Sequence, residues 1–177
     1  LGAVGGGGLR EKDVNLAVSR ALRLSLERRG ARVVMTRDAD RALAARHEDE
    51  LTDRVEAGHS GGADLFISIH HNARARPEDA RVASGVFVYY YQPWSAALAR
   101  ALADPVADAQ SQRIRAWVFR SFAVIRQSYM PSVLVEVGFI SNPDEECKMR
   151  APDYADRVGE SLAVGVERFF AERERLR

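Results

Sequence analysis

Apolar residues recur along the chain at two spacings, and the switch between them predicts the elements. Leu16, Ala17, Leu22 and Leu26 follow a helical period; with Asp13 as N-cap and Gly30 as the stop, they predict a helix over 13–29. Arg32-Val-Val-Met-Thr-Arg37 then reads as a buried strand. A polar loop through Asp38 and Asp40 leads to a second helix, 48–59, that turns Leu51 and Val55 inward. Residues 63–70 form the clearest strand, an apolar β-rich run bounded by Gly61-Gly62 and ending at His70. Further strands are expected over 85–91, 122–126 and 132–137, with a helix over 94–109 and a long amphipathic helix over 155–175. Gly5-Gly6-Gly7-Gly8 predicts a flexible opening loop, because glycine has the most backbone freedom to lose.

Strands alternating with helices point to an α/β fold: one domain over 1–177, with a mostly parallel twisted sheet and helices on both faces. In such sheets ligands bind outside the carboxyl ends of the strands. His70 and Glu136 stand at such ends.

Charge and cysteine content narrow the function. The 26 basic and 25 acidic residues leave a net charge of +1, which offers no electrostatic footprint for nucleic acid. The apolar runs fall far short of the roughly 18 residues a membrane span needs. The single cysteine, Cys147, excludes an internal disulfide and a cysteine-rich metal site. It follows three acidic residues on an expected helix and reads as a packed, inert thiol.

Two strands thus deliver a histidine and a carboxylate to one sheet edge, and Glu11 adds a second carboxylate just before the first helix. A catalytic zinc takes about three nitrogen or oxygen ligands and leaves one position open. Glu11 and His70 could supply two of them. Glu136 ends an otherwise apolar strand, where a charge needs a partner or a task, and taking a proton from water is such a task. Each also has an ordinary reading: Glu11 as a favourable charge at a helix N-terminus, His70 as a strand-end hydrogen-bond donor, Glu136 as the partner of an arginine. His71 points to the opposite face from His70 and makes a poor second ligand. His47 and His59 are expected at the surface. Tyr89-Tyr90-Tyr91 is either a sugar platform or a run buried alternately in the sheet, and burial is the simpler expectation.

At these residues the chain resembles the zinc-dependent N-acetylmuramoyl-L-alanine amidases of the type 3 class, bacterial enzymes that cut peptide stems from peptidoglycan. The matching segments are 8–16 (Gly-Leu-Arg-Glu-Lys-Asp-Val-Asn-Leu), 63–72 (Ala-Asp-Leu-Phe-Ile-Ser-Ile-His-His-Asn) and 130–143 (Met-Pro-Ser-Val-Leu-Val-Glu-Val-Gly-Phe-Ile-Ser-Asn-Pro). The resemblance implies one zinc ion held by Glu11 and His70, Glu136 as the catalytic glutamate, peptidoglycan as substrate and export to the cell envelope. The family's first ligand is a histidine in a Gly-His-Gly-Gly segment after a first strand, and that segment is absent here. The opening residues resemble the tail of the loop that follows it, so the first strand and its histidine are expected to be missing and zinc binding to be weak. Some relatives carry a helical plug after the strand matching 85–91; here Gln92-Pro93-Trp94 passes directly to a helix. The competing readings are a non-catalytic cell-wall or partner-binding module on the same fold, and a zinc carboxypeptidase or deacetylase. The activating partner is unknown.

Overall fold

The computed structural model describes residues 2–41, 47–112 and 115–175. Among them, seven α-helices accompany four strands in chain order: α1 (Glu11–Arg28), α2 (His47–Ser60), β1 (Phe66–Asn72), α3 (Pro77–Val82), β2 (Val86–Tyr90), α4 (Ala96–Ala109), β3 (Arg115–Phe119), α5 (Ala123–Arg126), β4 (Ser132–Phe139), α6 (Pro143–Met149) and α7 (Tyr154–Arg175). The sheet order is β1-β4-β2-β3. β1 runs parallel to β4 and β2 parallel to β3, while β2 and β4 are antiparallel. The expected α/β fold with helices on both faces is therefore present, as a mixed sheet.

Burial on both faces explains why β4 is nearly all apolar. Val133, Val135 and Val137 join Val18, Leu102 and Leu162 in a core beneath α1, α4 and α7. Leu134 and Phe66 face the other way and pack with Val55, Val124 and Ile125 from α2 and α5.

Several local expectations change. The first helix starts at Glu11, because Glu11 N–H donates to Ala3 O at 2.9 Å and Arg10 takes the N-cap position; Asp13 instead accepts from Arg10 Nε at 2.6 Å. The four-glycine opening is a closed turn rather than a loose loop. Gly5 N–H donates to Leu9 O, and the Glu146 carboxylate accepts from Gly7 N at 2.8 Å and Leu9 N at 3.1 Å. Residues 32–37 join no ladder; Arg32 and Arg37 tie the segment down by donating to the carbonyls of Gly61 and Lys12, both at 2.6 Å. The 122–126 run is mainly the single helical turn α5, since an apolar run this short suits either period and the turn buries Val124 and Ile125. The strand is upstream, at β3, a half-exposed sheet edge whose apolar signal is correspondingly weak. β1 extends past His70 to Asn72, with its register shifting after His70. Cys147 is exposed rather than packed, because α6 turns Glu145, Glu146 and Met149 inward. No helix among the described residues is long and apolar enough to cross a membrane.

The tightest helix contact is at Gly159, where a β-carbon would lie 2.6 Å from Leu22 N and 2.7 Å from Ala21 Cβ. Gly159→Ala should therefore push α7 off α1 and cost about 1–3 kcal/mol of stability, read as a lower urea midpoint at unchanged slope.

Candidate active site

Strand register places three side chains in one row across the sheet. His70 on β1 lies opposite Glu136 on β4, and Glu136 lies opposite Phe87 on β2. Directly opposed residues share a face. Glu11 reaches the row from the first turn of α1, and its Oε1 lies 3.0 Å from His70 Nδ1. The three residues singled out by sequence therefore converge.

The two glutamates sit in contrasting surroundings. Glu11 is buried, which alone would raise its pKa. Hydrogen bonds from His70, from Ala3 N–H at 2.8 Å and from Asn15 Nδ2 at 3.1 Å overcome that and bring it down to about 2. It is a fixed anion. Glu136 is largely buried, its Oε2 has no hydrogen-bond partner, and burial lifts its pKa to about 7, with His70 opposing and Glu11 reinforcing the rise. No arginine pairs with it among the described ion pairs. A carboxylate poised near neutrality with a free oxygen is suited to accept and return a proton.

His71 lies on the opposite face, as alternation requires, and is 1 % exposed. Its Nδ1 is 2.7 Å from Asn15 Oδ1 and its Nε2 2.9 Å from the Tyr154 hydroxyl. Burial lowers its pKa to about 3, so it is neutral near pH 7 and donates through Nδ1 to Asn15. Tyr154, His71 and Asn15 thus form a buried chain that ends on the Glu11 carboxylate. Asn15 is the residue the sequence reading passed over. The signal for it was its spacing four residues after Glu11, which puts both on one helix face. His59 is partly buried and stacks on Tyr129 with ring centroids 5.1 Å apart. The His47 side chain lies outside the described residues.

Glu11 and His70 are residues that could hold a zinc ion by the chemistry of their donors. A carboxylate and an imidazole are donor types that zinc takes, and these two lie side by side, 3.0 Å apart. Among the described residues no third His, Cys, Asp or Glu joins them to make a metal-holding group. The pair lines a cavity of about 930 Å³ whose walls also include Leu22, Met35, Ile67 and Ile69 and the charged residues Arg37 and Arg54. One wall is the free edge of β1. Phe66 N–H and Asn72 C=O bond toward the β4 side, so by parallel-strand alternation Ile67 and Ile69 turn their backbone groups into the cavity.

Residues 1–168 match the family described as N-acetylmuramoyl-L-alanine amidase. The chain belongs to that family. It is 33 % identical over 183 residues to the germination-specific N-acetylmuramoyl-L-alanine amidase of Bacillus subtilis, covering 97 % of this chain and 75 % of that protein. Among solved structures, the catalytic domain of the amidase CwlV from Bacillus (Paenibacillus) polymyxa is 31 % identical with a TM-score of 0.84, covering 96 % of this chain and 90 % of that one. The N-acetylmuramoyl-L-alanine amidase of Clostridium difficile 630 is 28 % identical with a TM-score of 0.87, covering 97 % and 90 %. The single amidase-type α/β domain and the peptidoglycan amidase assignment expected from the motifs both stand.

The buried carboxylate of Glu136 carries a measurable cost. Its folded pKa of about 7 lies above the unfolded value near 4.5, so the folded state holds the proton more tightly and loses stability as pH rises through that window. Glu136→Gln should match the parent at pH 4 and exceed it at pH 8 by roughly 2–3 kcal/mol, a gain of several degrees in melting temperature.

Proposed function

We propose that this amidase hydrolyses the amide between the lactyl group of N-acetylmuramic acid and L-alanine, with Glu136 as proton acceptor and donor and one zinc ion held in part by Glu11 and His70. The observation that carries the reading is Glu136: a buried carboxylate with an unpartnered oxygen, poised near neutrality directly across from His70. Glu136 takes a proton from the attacking water and returns it to the departing amine of L-alanine. Glu11, anionic and held by Ala3, Asn15 and His70, keeps the imidazole in place. What zinc supplies when bound is Lewis acidity toward a carbonyl and toward water.

Two donors are fewer than a catalytic zinc site uses. The resemblance to the type 3 amidases implies a third, a histidine following a first strand, and the slot beside β1 is suited to such a strand. Leu22, Leu26, Ile67 and Ile69 are among its walls, it borders a strand edge with no ladder partner among the described residues, and Glu11 and His70 line it as well. Elemental analysis should find about one zinc per chain in a form carrying a Gly-His-Gly-Gly strand segment upstream, and little zinc in residues 1–177 alone. Equal, near-zero contents would favour the alternative reading, a cell-wall-binding module on the amidase fold.

A peptidoglycan substrate places the work outside the cytoplasm, in the cell envelope. In the zinc-loaded form, Glu136→Ala should lower release of new L-alanine N-termini from peptidoglycan by at least roughly 10²-fold while metal content stays unchanged. Unaltered turnover would remove Glu136 from the reaction. Release of a terminal amino acid or of acetate instead would point to a carboxypeptidase or deacetylase.

A further inference from the structure

The row that holds His70 and Glu136 does not stop at Glu136. Phe87 lies directly opposite Glu136, and Tyr89, two residues along β2, projects from the same face. The Phe87 and Tyr89 rings are nearly parallel, 13° apart with centroids 6.4 Å apart, and Phe122 meets Tyr89 at 5.2 Å. Phe122 is 39 % exposed and Phe87 and Tyr89 are half-buried, so the surface is open yet held in shape by its own packing. Arg74 lies 5.7 Å over the Phe139 ring that abuts Phe87, and the charges of both Arg74 and Arg120 are felt at the Tyr89 hydroxyl. An aromatic shelf flanked by two cations thus leads away from the proposed proton-transfer group.

We propose that Phe87, Tyr89 and Phe122 form the subsite for the N-acetylmuramic acid ring, so that the glycan lies over β2 while the peptide stem leaves on the other side of Glu136. This rests on the amidase reading of the site. One face of a pyranose is lined by C–H groups, and an aromatic face, negative at its centre, attracts them while the ring excludes water. The sugar hangs from the scissile carbonyl by a short lactyl ether, so its ring must sit beside Glu136, where the shelf begins. Of the tyrosine run, Tyr89 serves the sugar while Tyr90 packs into the opposite core.

The test uses N-acetylmuramoyl-L-alanyl-D-isoglutamine as probe and residues 1–177 carrying Glu136→Gln, which removes turnover. Saturation-transfer NMR should show contact concentrated on the pyranose C–H and N-acetyl protons, and L-alanyl-D-isoglutamine, which lacks the sugar, should not bind. Tyr89→Ala and Phe122→Ala should each weaken binding by roughly five- to ten-fold, Tyr89→Phe should restore most of it, and Leu24→Ser, on an exposed position of α1 outside the shelf, should change nothing. Phe122→Ala alters a partly exposed side chain, so its far-ultraviolet circular dichroism should match the parent and its result stands even if Tyr89→Ala unfolds. Equal binding by the sugar-free peptide, or parental affinity in the folded alanine variants, overturns the shelf. Sugar contact in a chain whose zinc-loaded form with Glu136 intact hydrolyses nothing keeps the shelf and defeats the amidase reading. Hydrolysis with KM unchanged in both alanine variants does the reverse.

Discussion

Everything at the site depends on the parallel register of β1 against β4. Pairing Ile69 with Val135 sets His70 opposite Glu136, and because side chains alternate, a slip of one residue would send one partner into the helix-covered core. The apolar neighbours hold that register: Val133, Val135 and Val137 are wholly buried and would lose that burial in any other alignment. The hydrophobic core therefore supplies the geometry that the polar residues use.

On this frame, two residues of one type are driven to opposite electrostatic states. Glu11 lies at the start of a helix with its oxygens met by donors, so it stays charged even though buried. Glu136 stands between His70 and Phe87 in its row, is largely buried and has an oxygen that nothing meets, so it holds a proton far more readily. The separation follows from hydrogen-bond supply more than from burial, since both lose water. A division into a fixed anion and a proton carrier is what hydrolysis of an amide asks of two carboxylates.

Much of this could be read from the chain before folding, and the exceptions have physical causes. The β1 and β4 segments announce themselves because they are buried on both faces and so nearly continuous in apolar residues. Glu136 stood out because a charge interrupts such a run. β3 was invisible because an edge strand with alternate exposed positions resembles any mixed surface segment, and α5 was mistaken for a strand because one turn is too short to show a period. Residues 32–37 carry a strand pattern without a neighbour to bond to, a case where local propensity is correct and the ladder is lacking. Asn15 escaped because its spacing from Glu11 marks only a shared helix face, while its second contact, to His71, joins positions that no pattern in one sequence links.

The clamp between Glu146 and the opening turn has a consequence for the order in which the molecule is made. Ala3 holds Glu11 from a turn whose closure uses a carboxylate more than 130 residues further along the chain. A ribosome releases the first helix long before it releases α6. The hold on Glu11 is therefore assembled in stages: Asn15 can donate as soon as the first helix forms, and the clamp that fixes the Ala3 turn from outside is added only when nearly the whole domain has emerged.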